Sequence, residues 1–116
     1  MAEAIARARF IPLAPRKVRL VADMIRGKKV EEARDTLAFT VKGAAPVLAK
    51  LLASAVANAE SKAAETRQRI DTDAMVVRQV LVHGGPSIKR LWSAPRGRPT
   101  RIRKRMSHIE LVISDS

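Results

Sequence analysis

The chain contains no cysteine, which excludes disulfides, thiolate-bound zinc and a cysteine nucleophile. It has no tyrosine, and Phe10, Phe39 and Trp92 are its only aromatic residues. RNA-recognition and OB-type platforms stack several aromatics on exposed bases, so the composition argues against both. No stretch free of charged residues exceeds ten positions, Gln79 to Ile88, about half of what a membrane-spanning helix needs. Arg7, Arg9 and Arg16 interrupt the N-terminus before an apolar signal-peptide core can form. Acidic residues are missing altogether from residues 74–109, a span of 36 positions.

What is present is basic. Twenty-three Lys and Arg stand against eleven Asp and Glu in 116 residues, a formal charge of +12. A small domain that tolerates such self-repulsion meets a polyanion, and the reading is of one cytoplasmic, nucleic-acid-binding domain. The surplus is localised. Residues 7–29 carry Arg7, Arg9, Arg16, Lys17, Arg19, Arg26, Lys28 and Lys29 against Asp23 alone, whereas residues 30–73 sum to −1. Residues 74–109 hold nine basic groups and no acid. A solvated surface mixes signs, so these two segments are the candidate polyanion contacts.

Hydrophobic periodicity predicts an α+β fold: three helices packed on a small antiparallel sheet, with a long protruding basic β-hairpin. Ala4 to Ile11 reads as a short strand with Ile5 and Ile11 on one parity. Pro15 suits a first helical position. Val18, Val21, Ala22 and Ile25 then recur at i, i+3, i+4 and i+7, and Gly27 stops that helix. A second helix spans Glu31 to Phe39, with Val30, Ala33 and Leu37 as its buried stripe. A third runs from about Ala44 to Ala64, its stripe of Val47, Leu48, Leu51, Leu52, Ala55, Val56 and Ala59 marking it as central. Ala74 to His83 is β-branched and reads as a strand interrupted by Gly84-Gly85-Pro86. Ile109, Leu111 and Ile113 alternate with polar residues in a closing strand. The body therefore takes about 1–85 and 107–116, and the hairpin about 86–106 with its turn near Ala94 to Arg98.

Eight basic residues, Lys89, Arg90, Arg96, Arg98, Arg101, Arg103, Lys104 and Arg105, populate that hairpin. Arginine's planar fork matches phosphate oxygens, and Arg101, Arg103 and Arg105 alternate along one face of an extended arm. Like charges at this density repel, so a partner is expected to order the arm. Trp92 is placed to stack on an unpaired base or to lie on arginine stems. His83 and His108 lack a further ligand at metal spacing, Gly84-Gly85 lacks the spacing of a phosphate loop, and no nucleophile constellation appears. No metal, cofactor or enzyme activity is expected. A DNA-architectural protein with a basic β-arm and a wedging proline, Pro95 or Pro99, remains open on these grounds. A membrane-surface role would need an amphipathic cationic helix that the arm does not have.

Four collinear segments carry a resemblance. Ala14-Pro15-Arg16-Lys17-Val18-Arg19-Leu20-Val21-Ala22-Asp23-Met24-Ile25-Arg26-Gly27-Lys28, continued by Glu31-Glu32-Ala33, resembles the first helix of the bacterial ribosomal protein L22 (uL22) family. Ala53-Ser54-Ala55-Val56-Ala57-Asn58-Ala59-Glu60 resembles that family's third helix. Gly85-Pro86-Ser87-Ile88-Lys89-Arg90 with Arg96-Gly97-Arg98, and then Lys104-Arg105-Met106-Ser107-His108-Ile109, are similar to its hairpin and closing strand. The resemblance implies a structural protein of the large ribosomal subunit that binds 23S rRNA, neighbouring ribosomal proteins and the nascent peptide, as a monomer within the ribosome. It implies that Arg16, Lys17 and Arg19, with Lys89, Arg90, Arg96, Arg98, Lys104, Arg105, Ser107 and His108, occupy rRNA-binding positions. It further implies that the hairpin, through Ile88, Lys89, Arg90, Leu91, Trp92 and Arg96, faces the peptide exit tunnel. The chain departs from the family pattern at Trp92, usually aliphatic, at Ser93-Ala94-Pro95, usually Pro-Arg-Ala, and at Met106, usually Thr.

Overall fold

Helix α1 (Pro15–Ile25) forms where the apolar spacing places it: Val18, Val21, Ala22 and Ile25 are all buried, and Pro15 occupies its first turn. Gly27 follows at φ +82°, a conformation that costs glycine little. In the computed structural model, residues 3–67, 69–93 and 99–115 are described, with backbone alone for 86–93 and 99–104. The chain runs β1 (Glu3–Ile11), α1, α2 (Val30–Phe39), α3 (Ala45–Thr66), a 3-10 turn (Thr72–Ala74), β2 (Val76–Ser93) and β3 (Pro99–Ser114). The tip positions Ala94 to Arg98, including the candidate contacts Arg96 and Arg98, lie outside the described residues.

The three strands form one antiparallel sheet in the order β1-β3-β2. Helices cover one of its faces. Ala4 and Ala6 of β1, Val77, Val80 and Val82 of β2, and Ile109, Leu111 and Ile113 of β3 are buried there with the helix stripes. Helix α3 packs on β1, and small residues meet in that layer: Ala55 and Ala59 on α3, Ala4 and Ala6 on β1. Each buried aliphatic side chain contributes about 1.5–3 kcal/mol, so the helix-to-sheet layer is where the fold is held.

Two features go beyond the sequence reading. Ile5 and Ile11 share one parity in the sequence, and the structure buries the other one, at Ala4 and Ala6, with Ile5 half-buried. Ile11 rejoins the core side because the register shifts by one residue between Ala8 and Ile11, where Phe10 takes φ 57°. At Gly84-Gly85-Pro86 the strand is interrupted without ending. The pairing passes from Gly84↔Ser107 to Ser87↔Arg105 through one extra residue on β2, a bulge inside a continuous strand. Proline, which lacks an N–H, is tolerated at such a point.

Beyond the bulge β2 and β3 stay paired from Ser87↔Arg105 to Ser93↔Pro99, about 20 Å of ladder at 3.4 Å per residue. This arm makes the molecule long. Its principal extents are 66 × 27 × 16 Å and its radius of gyration is 17.4 Å, against about 13 Å for a compact chain of this length.

Candidate nucleic-acid interface

The cations of α1 stand beside the free edge of β2. Arg26 donates through Nη2 to the carbonyl of Val80 at 2.7 Å, and Arg19 donates through Nη2 to that of Val82 at 3.1 Å. Val77, further along the same edge, accepts from the Gly27 N–H and donates to the Lys28 carbonyl, both at 2.8 Å. A lone Lys29↔Val76 bridge completes this cover. The opposite edge is treated alike: Asn58 and Lys62 of α3 donate to the carbonyls of Ile5 at 2.9 Å and Glu3 at 3.1 Å. An open edge invites pairing with another chain; here α3 side chains cover one edge of the body, and Arg19, Arg26 and the backbone of residues 27–29 cover the other.

This anchoring fixes where the α1 charges lie. A guanidinium has five donors, so Arg19 and Arg26 keep spare N–H groups for an outside partner after bonding β2. Arg26 also pairs with Asp23, and Arg7 pairs with Glu110 at 3.6 Å. Both pairs are largely exposed and worth about 0–1 kcal/mol, which leaves them easily exchanged. Lys28 is half-buried and donates to the Thr36 hydroxyl at 3.2 Å. Arg9, Arg16, Lys17 and Lys29 are exposed and make no ion pair among the described residues. Pro15 lies under Gly84, 4.0 Å from where a Cβ would stand, so Arg16 and Lys17 begin α1 beside the root of the arm.

At that root Ser107 and His108 are spent differently. Ser107 is fully buried, and its hydroxyl donates to the Leu13 carbonyl at 2.6 Å, tying the β1–α1 connection to β3. His108 is half-buried, and its Nδ1 accepts the Phe10 N–H at 3.1 Å. Gly85 packs so closely that an added Cβ would sit 3.2 Å from the Met106 carbonyl oxygen and 3.3 Å from His108 Nε2.

Along the arm the register separates residue types. Lys89, Leu91, Arg101, Arg103 and Arg105 occupy one set of alternating positions, with Lys89 opposite Arg103. Ile88, Arg90, Trp92, Ile102 and Lys104 occupy the other. Like charges at partnered positions weaken a ladder, so this arrangement favours an anion alongside. Sequence reasoning places these cations by charge alone; it misses Asn58, Lys62 and the edge bonds of Arg19 and Arg26. Carbonyl partners many positions away leave no mark in local sequence.

Comparison with known proteins agrees with this geometry. The family model for ribosomal protein L22p/L17e matches residues 6–114. The chain is 47% identical over 113 residues to the large ribosomal subunit protein uL22 of Desulfitobacterium hafniense (strain Y51), covering 97% of this chain and 95% of that protein. It is 45% identical to the uL22 of Geobacter sulfurreducens, with 97% of each covered. The uL22 of Koribacter versatilis is 42% identical over 97% of this chain and 68% of that relative. With all three helices, the arm and nearly all of the sheet inside the matched span, the chain belongs to the ribosomal protein L22p/L17e family.

Proposed function

We propose that the chain is a non-catalytic, structural constituent of the large ribosomal subunit that binds 23S rRNA and supports subunit assembly. It acts as one domain in the cytoplasm, monomeric within the ribosome and in contact with neighbouring ribosomal proteins. The body docks on rRNA through Arg7, Arg9, Arg16, Lys17, Arg19, Arg26, Lys28 and Lys29. The arm threads inward, neutralising phosphates with Lys89, Arg90, Arg96, Arg98, Arg101, Arg103, Lys104 and Arg105. Its tunnel-facing residues, Ile88 to Trp92 and Arg96, line part of the peptide exit tunnel and meet the nascent peptide. At the root of the arm His108 joins this interface, and Ser107 ties the connection before α1 to β3 beneath it.

The observation that carries the reading is a paired arm with six cations and no acid among its described residues, in a chain of this family. Like charges along such an arm repel, and phosphates would supply the neutralisation it lacks. No helix among the described residues is long and apolar enough to cross a membrane. Filter binding of the whole chain to a 23S rRNA transcript over a salt series tests the rRNA assignment. Tight binding that falls steeply with salt and resists competition by duplex DNA is expected. Equal competition by duplex DNA refutes the assignment in favour of a DNA-architectural arm.

A further inference from the structure

The helix-free face of the sheet carries a hollow of about 340 Å³ at the root of the arm, lined by Arg7, Arg9, Phe10, His83, His108 and Glu110. Phe10 is its unusual member. It is 60% exposed and sits at φ 57°, a region that non-glycine residues hold only when their surroundings enforce it. The enforcement is visible: the Phe10 N–H donates to His108 Nδ1 at 3.1 Å, and the two rings meet edge to face at 5.0 Å. A bulge so pinned displays an aromatic ring to solvent within a basic rim. Folding alone would have favoured burying that ring.

We propose that this hollow receives one unpaired RNA base, stacked on Phe10. Stacking on an aromatic face beside arginine is how proteins hold splayed-out bases. Arg9, unpaired among the described residues, lies where it can meet the flanking phosphate. Glu110, held by Arg7 at 3.6 Å, would repel a bare phosphate but accepts a base amino group, so the hollow suits a nucleotide better than an inorganic anion. Because His108 Nδ1 accepts the Phe10 N–H, Nε2 is the ring nitrogen left to donate to the base edge. This inference rests on the rRNA-binding reading and deepens it.

The test uses the whole chain and a 23S rRNA transcript, with affinity and base-by-base chemical probing as readouts. Phe10→Leu keeps apolar bulk without a π face; Phe10→Trp keeps the face; Arg9→Gln leaves the ring in place. Phe10→Leu should bind about 5- to 150-fold more weakly and expose one base that the wild type protects. Phe10→Trp should retain that protection, and Arg9→Gln should weaken it. Wild-type affinity and unchanged protection in Phe10→Leu overturn the pocket while leaving rRNA binding intact, whatever Arg9→Gln does. Failure of the wild type itself to bind the transcript removes the reading beneath it.

Discussion

Replacing Ser107 by alanine separates two roles that a basic RNA-binding surface confuses, those of a ligand and of a structural tie. The Ser107 hydroxyl is fully buried and donates to the Leu13 carbonyl at 2.6 Å. Alanine removes the donor with almost no loss of volume, so the cost is the bond itself plus the desolvated carbonyl left behind. A net hydrogen bond is worth about 0.5–1.5 kcal/mol, and an orphaned buried acceptor costs about 1–3 kcal/mol. Leu13 is only half-buried, so water can reach its carbonyl in part and the low end applies. The expected loss is about 1–2 kcal/mol. Urea unfolding of the free protein should show a lower midpoint at an unchanged slope. Affinity of the folded variant for 23S rRNA at low temperature should stay close to wild type. Stability within about 0.5 kcal/mol of wild type, the range of ordinary surface changes, together with weakened RNA binding would refute the reasoning and make Ser107 a direct RNA ligand.

Three further outcomes are expected. Changing Arg101, Arg103 and Arg105 together to alanine should leave the circular dichroism of the body intact and lower the salt slope of rRNA binding by about 2–3, at about 0.7–0.9 for each phosphate no longer neutralised; unfolding of the free variant would contradict the separation of arm from core. Gly85→Ala places a methyl group 3.2 Å from the Met106 carbonyl oxygen and 3.3 Å from His108 Nε2, and should cost about 1–3 kcal/mol in thermal unfolding, as overpacking does. Ala59→Leu, at a site 3% exposed where α3 lies on the sheet, should cost a similar amount, about 1–3 kcal/mol; a neutral result in calorimetry would show that the small residues there do not set the packing distance.

The helices are legible in the sequence because their evidence is local. Val18, Val21, Ala22 and Ile25 state a period and a buried face within one turn or two, and Pro15 and Gly27 punctuate them. The arm is legible as a charge run. Gly84-Gly85-Pro86 marks where the strand bends as it leaves the body, but that the break is a single inserted residue shows only in the register with β3. The buried face of β1 is not legible for a related reason: alanines at 4 and 6 are buried because α3 is close, while the larger Ile5 is only half covered. Among the candidate contacts, counting charge treats Arg19 and Arg26 as free phosphate donors, yet each first bonds a β2 carbonyl. Phe10 carries no local signal because its display depends on a histidine 98 positions away.

The central claim, that this chain is built into the large subunit through its basic arm, is tested most directly by sedimentation. Cell lysate is run through a sucrose gradient and probed for the protein before and after a high-salt wash. The account predicts co-migration with the large subunit that survives the wash, because an arm enclosed by folded rRNA cannot leave by exchange of counterions alone. Release at modest salt, or migration with chromosomal DNA, would contradict it.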